Sequence, residues 1–166
     1  ILLDAHNYLQ KCNKNYHNAM VIGDVNTTLA GALVANKNKI KIIHIESGLR
    51  AGEWESEETN RKLITACSDF HFCPSRLSFQ NLINENIPKD SIFFVGNTMA
   101  ETFLDLQESR KKIDINNNFG ISDKEYVLFT VHKEHNKDNY RNVINLLNSL
   151  TKREKVIFPV HPGIKK

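Results

Sequence analysis

Three places in this chain put reactive side chains directly after apolar, β-rich runs. Gly23-Asp24 follows Ala19–Ile22, His44-Ile45-Glu46-Ser47-Gly48 closes Ile40–Ile45, and His132-Lys133 follows Tyr126–Val131. In open parallel α/β sheets, ligands bind beyond the carboxyl ends of the strands, so polar residues at those ends are the informative ones. Asp24 has two readings. With Asn26 and Thr27 it caps the following helix, or it stands at the sheet mouth near a helix N-terminus, where it suits a phosphate or a sugar. Glu46 ends a strongly apolar strand, so it is either paired with Arg50 or a proton-transfer group. Glu57 and Glu58 open a helical stretch, where acids complement the macrodipole, and Arg61 shares their face. His132, Lys133, His135 and His161 suit an anion such as a diphosphate, since cationic and N–H donors stabilise charge building on a leaving group. His132 and His135 are three apart without a supporting carboxylate motif, so no metal site is read. Neither G-x-x-x-x-G-K-[ST] nor G-x-G-x-x-G occurs, which argues against P-loop nucleotidases and dinucleotide oxidoreductases.

The elements that must position these groups alternate. Strands are expected at 19–22, 40–45, 70–73, 92–95, 126–131 and 156–160. Helices are expected at 27–35, 57–67, 75–84, 98–106 and 140–150. Strand, helix and strand with short connections form βαβ units and a parallel sheet. Pro159 marks a strand edge or end. Between Gln107 and Ser122 the composition turns to Lys, Asn and Asp, and Asn116-Asn117-Asn118 breaks regular structure, so a linker is expected there. The two strands and one helix after it are too few to close a self-sufficient doubly wound domain.

Composition agrees with a globular chain. Of 166 residues, 40% are hydrophobic and 25% charged, and 22 basic residues face 19 acidic ones for a net charge of +3. The charges are interspersed rather than gathered in a stripe, so no nucleic-acid partner is expected. No apolar run is long enough for a membrane span, and no secretory signal is visible. Cys12, Cys67 and Cys73 are odd in number and lack C-x-x-C spacing. Cys67 and Cys73 are expected as buried thiols, and a reducing, cytoplasmic setting follows.

Six segments, in order, resemble the non-hydrolysing UDP-N-acetylglucosamine 2-epimerases. Gly23-Asp24-Val25-Asn26-Thr27-Thr28 is similar to G-D-T-x-T-T, and His44-Ile45-Glu46-Ser47-Gly48-Leu49-Arg50 to H-V-E-A-G-L-R. Glu57-Glu58-Thr59-Asn60-Arg61 resembles P-E-E-x-N-R with Ser56 in the proline's place, and Gly96-Asn97-Thr98 resembles G-N-T. Thr130–Asn136 is similar to T-x-H-R-x-E-N, and Pro159-Val160-His161-Pro162 to P-V-H-P. The hydrolysing branch carries H-x-x-G-G-E instead.

The resemblance implies a GT-B type α/β fold of two Rossmann-like domains with parallel sheets, incomplete here at both ends. Residues 1–106 would belong to the first domain, 107–122 to the linker and 123–166 to the start of the second. It implies an isomerase that inverts C2 of UDP-N-acetylglucosamine by eliminating UDP and adding it back through 2-acetamidoglucal, with no cofactor. It assigns catalysis to Asp24, Glu46, Glu57 and His132, and substrate binding to Arg50, Arg61, Lys133 and His161. A UDP-sugar and a second copy of the chain are the implied partners, in surface-polysaccharide precursor synthesis. Lys133 for Arg replaces a bidentate phosphate clamp by a point charge. That change, His135 for Glu and Gly163-Ile164 for Arg-Thr leave room for a related UDP-sugar. Two segments of the family pattern, a G-T-R-P-E loop and an S-G-G-x-x-E stretch, would lie before Ile1 and after Lys166, so the 166 residues alone are expected to be inactive. A GT-B glycosyltransferase and a non-catalytic UDP-sugar-binding remnant are the alternatives.

Overall fold

A computed structural model describes residues 2–11, 16–51, 56–110, 120, 126–131 and 139–160. They form two compact units, Ile1–Asp105 and Leu106–Lys166.

The first unit runs α1 (Leu2–Lys11), β1 (Asn18–Ile22), α2 (Asn26–Lys37), β2 (Lys41–Ile45), α3 (Ser56–Cys67), β3 (Phe70–Cys73), α4 (Arg76–Asn84), a 3-10 turn (Lys89–Ser91), β4 (Ile92–Phe94) and α5 (Thr98–Asp105). The four strands pair in chain order, all parallel. Helix α1 answers to no sequence expectation: it is half polar, and none of its residues is buried.

Alternation along the strands sorts side chains to two faces. Val21, Ile42, His44, His71, Cys73 and Ile92 are buried on one face. There Val21, Ile42 and Ile64 pack with Ala32 and Ala35, small residues that let α2 lie close to the sheet. A second cluster joins Cys73, Ile92 and Leu82, with Phe79, Ile83 and Ile87 against it. Met20, Ile22 and Phe93 lie on the other face and are exposed, and Phe93 packs edge-on to Phe72 with ring centroids 5.6 Å apart. Cys73 is fully buried, as expected, whereas Cys67 is only partly so; burial raises both thiols, Cys73 to about 11. Cys12 lies outside the described residues.

The second unit holds a helical turn α6 (Gln107–Arg110), β5 (Tyr126–Leu128), α7 (Tyr140–Thr151) and β6 (Lys155–Ile157). Its two strands are parallel. They are shorter than the expected 126–131 and 156–160, and the second stops before Pro159, which has no N–H for the ladder. Val143, Leu147 and Leu150 of α7 are half-buried at helical spacing, and no described residue of this unit is fully buried.

Two glycines fix the exits of β1 and β2. Gly23 (φ +73°) and Gly48 (φ +80°) lie in the left-handed region. At Gly48 the constraint is double, because a Cβ there would collide with the backbone carbonyl of Ser78 in α4. Asn81 Nδ2 also donates to Gly48 O at 2.9 Å, so the turn after β2 is seated on α4. The Gly48→Ala variant combines strain at positive φ with overpacking against backbone, and loses about 2–4 kcal/mol. Urea unfolding measures this as a lower midpoint at unchanged slope.

Candidate functional site

The site grows from the turn after β1. Gly23 N–H donates to Ile45 O at 3.1 Å, and Gly23 O accepts from His44 Nε2 at 3.0 Å. Thr28 Oγ1 reaches back to Ile22 O at 2.8 Å. Asp24 is held at two points from α3. Asn60 Nδ2 donates to its backbone oxygen at 2.9 Å, and Arg61 Nε donates to its Oδ2 at 2.7 Å. The capping alternative for Asp24 is overturned: the residue before α2 is Val25, which offers no side-chain cap. The carboxylate faces α3 instead.

Glu46 stands just beyond β2 with φ +64°, a left-handed conformation that a non-glycine residue adopts at a cost of about 1–3 kcal/mol. Its neighbours hold it there. Ser47 N–H donates to Phe72 O at 3.1 Å, and Ser47 itself is fully buried. A Cβ placed on Gly23 would stand 3.8 Å from Glu46 Oε2, which puts the Glu46 carboxylate against the turn that carries Asp24. Thr98 Oγ1, in the first turn of α5, lies 3.5 Å from Glu46 Oε1, at the outer limit of a hydrogen bond. Of the two readings of Glu46, the ion pair with Arg50 fails. Arg50 grips Glu85 with Nε at 2.7 Å and one amino nitrogen at 2.6 Å, a bidentate pair.

The organiser is Glu58, only 5% exposed. Its Oε2 accepts from Ala51 N–H at 3.1 Å and from Arg61 at 3.1 Å, and its Oε1 lies 3.6 Å from Arg50 Nε. The result is an alternating chain: Asp24, Arg61, Glu58, Arg50, Glu85. A polar pair underlies it. His44 and His71 are opposite one another across β2 and β3, both buried. Burial pushes both rings below the ordinary histidine range, His71 to about 4; Arg50 adds to each, and His44 adds to His71. The Gly23 hydrogen bond and Asp24 oppose the shift at His44, and Asp69 and Glu85 oppose it at His71. His71 Nδ1 shares a 3.0 Å hydrogen bond with Ser47 Oγ.

Sequence-expected residues therefore divide. Asp24, Glu46, Arg50 and Arg61 lie around the carboxyl ends of β1 and β2. Glu57 is in the first turn of α3, half-buried, next to the more deeply engaged Glu58. His132, Lys133 and His161 lie outside the described residues, as does His135. Sequence reasoning gave no role to His44, Asn60 or Glu85, and left Glu58 as a macrodipole partner. The polar Asn60 between Glu58 and Arg61 was a usable signal, whereas nothing local marks Glu85, 35 residues from Arg50. Among the described residues no group of three or more His, Cys, Asp or Glu is placed to hold a metal ion, and no helix is long and apolar enough to cross a membrane.

Two measurements probe this arrangement. Removing the charge of Glu58 leaves Arg50 and Arg61 under-compensated in a buried setting, so Glu58→Gln costs about 3–5 kcal/mol by urea unfolding. The second is pH dependence. Both histidines have folded-state pKa values below the 6.5 of the unfolded chain, so below that pH the unfolded state binds protons that the folded state refuses. Stability from these rings is complete above about pH 6.5 and is lost as pH falls towards 4, by up to about 3 kcal/mol for His71. A urea midpoint that stays flat over this window would contradict the assignment.

Comparison with known proteins identifies the family. A family model described as UDP-N-acetylglucosamine 2-epimerase matches residues 1–166. A UDP-N-acetylglucosamine 2-epimerase homolog of Methanococcus maripaludis is 40% identical over 151 residues, covering 89% of this chain and 42% of the relative. A UDP-2,3-diacetamido-2,3-dideoxy-D-glucuronate 2-epimerase of Pseudomonas aeruginosa is 34% identical over 154 residues, covering 88% of this chain and 42% of the relative. The crystal structure of the Methanocaldococcus jannaschii UDP-GlcNAc 2-epimerase, in complex with UDP-GlcNAc and UDP, superposes with a TM-score of 0.82 at 33% identity, over 97% of this chain and 46% of that one. The chain thus spans less than half the length of these relatives. With all of its residues matched by the family model, it belongs to the UDP-N-acetylglucosamine 2-epimerase family.

Proposed function

We propose that the protein carrying this chain interconverts UDP-N-acetylglucosamine and UDP-N-acetylmannosamine without net hydrolysis. One observation carries the reading. In a chain matched throughout by the family model, Asp24 and Glu46 stand on the turns that leave two adjacent strands at the carboxyl edge of a parallel sheet, the one on a clamped turn and the other on a strained one.

The reaction needs such a pair. A base takes the proton from C2 of the sugar, the C1–O bond breaks, and UDP leaves with the bonding electrons, giving 2-acetamidoglucal. UDP then adds back to C1 while an acid returns a proton to the opposite face of C2. Two carboxylates on separate turns suit opposite faces of one ring. Glu57 is the third carboxylate of the set, and His132 would stabilise the diphosphate as it departs. Lys133 and His161 complete the anion-binding side. Arg61 acts chiefly on Asp24, to which it is bonded, and Arg50 on the scaffold. We assign the two units to successive Rossmann-like domains of a GT-B type fold, with residues 107–122 as the linker, in a cytoplasmic enzyme that works as a homodimer. The glucuronate-type relative favours one second reading, a UDP-sugar altered at C3 or C6 and epimerised at the same C2.

The test is isotope exchange. Incubated with UDP-N-acetylglucosamine in deuterated water, the whole protein incorporates label at C2 and forms the manno epimer. No label uptake, with this sugar or with the diacetamido glucuronate, sinks the reading. Asp24→Asn and Glu46→Gln each lower turnover by about 100-fold or more at near-native melting temperature. A glycosyltransferase using Glu46 as mere scaffold would survive the second change.

A further inference from the structure

Among the described residues the His44 side chain makes one hydrogen bond. Its Nε2 faces a carbonyl, Gly23 O, at 3.0 Å, so this nitrogen must carry the proton and donate. The ring is 2% exposed, and its Nδ1 is the one buried side-chain nitrogen or oxygen without a partner among the described residues. An orphaned buried acceptor costs about 1–3 kcal/mol, which offsets what the bond from Nε2 contributes to stability. What histidine adds over leucine is the N–H. The peptide that receives it is the one that most needs holding. Gly23 sits at φ +73°, its N–H is tied to Ile45 O, and a rotation of its carbonyl would swing the following residue, Asp24.

We propose that His44 is a positioning residue for the epimerisation: its Nε2–H fixes the Gly23 carbonyl and thereby sets where the Asp24 carboxylate stands at the carboxyl edge of the sheet. The inference rests on the epimerase reading given above. Three donors then hold the turn from two sides. Asn60 and Arg61 come from α3, on the Asp24 carbonyl and carboxylate. His44 comes from the sheet, on the residue before. Its strand is paired on both edges, with Val21 opposite it on β1 and His71 on β3, so the donor is carried by an interior strand of the sheet. Burial lowers the ring's basicity, so it is neutral near pH 7, and the Gly23 carbonyl selects the Nε2–H tautomer.

Three variants of the whole protein separate positioning from packing. Glutamine can bring an amide N–H to the place of Nε2, asparagine only to that of Nδ1, and leucine brings none. His44→Leu and His44→Asn are expected to lower kcat by about 100-fold with KM within about threefold, because a misplaced carboxylate costs turnover rather than binding. His44→Gln should stay within about fivefold of wild type, and His44→Leu, which trades the orphaned Nδ1 for an unpartnered Gly23 carbonyl, should melt within a few degrees of wild type. Added to Asp24→Asn, His44→Leu should cost little more. Native-like kcat in His44→Leu overturns the proposal, as does a His44→Gln variant as poor as His44→Leu. An activity-free arm reads the ring nitrogens by NMR. An Nε2 without a proton at about pH 7 overturns the proposal whatever the kinetics. If the wild-type protein neither epimerises nor exchanges C2, the epimerase reading fails and the role falls with it, while the NMR result still decides the His44–Gly23 bond.

Discussion

Everything at the carboxyl edge of the sheet hangs on the Glu58 carboxylate. It is buried, and it faces two guanidinium groups, each of which turns its other side to a second carboxylate. Two charges taken out of water repay their desolvation only when the geometry is close and the remaining hydrogen-bonding positions are filled. Here they are filled, by the Ala51 N–H on Glu58 and by Thr65 and the Leu49 carbonyl on Arg50. Such a chain adds little net stability over an apolar core. Its effect is specificity, because only one arrangement of α3, α4 and the two turns satisfies all five members.

The turns themselves carry the strain. Glu46 and Gly48 are both left-handed, two residues apart, with the buried Ser47 pinned between them to Phe72 and His71. A loop with three consecutive residues committed in this way does not rearrange locally. The cost at Glu46 is offset by the seating of Gly48 on α4 and of Ser47 on β3, so the carboxylate stays where it is without needing a ligand to organise it.

Much of this was legible in the sequence. Short apolar runs ending in polar residues marked each of the four strands of the first unit, and a rule about sheet edges singled out Asp24 and Glu46 before any geometry. Those signals are local. What escaped them is non-local or backbone in origin. Helix α1 has no apolar stripe strong enough to stand out. The choice of Glu58 over Glu57 as the buried acid depends on which side of α3 faces the sheet. Arg50 was read towards Glu46, four residues away, because no pattern announces Glu85 on another helix. His44 looked like part of a strand, and its role depends on the carbonyl of a residue 21 positions earlier. The second unit was the harder part, since its strands are three residues each and its apolar residues are at best half-buried.

The burial of the ionic chain also decides how the site responds to ions in solution. Mobile counter-ions screen exposed charges over about 8–10 Å, but they cannot enter between groups packed as Arg61 and Glu58 are, with 14% and 7% of their side chains exposed. Added salt therefore screens the long-range field that this edge presents to a charged ligand while leaving the internal pairs at full strength. Encounter and pre-organisation are uncoupled: the first follows the ionic medium, and the second is insulated from it by the protein's own interior.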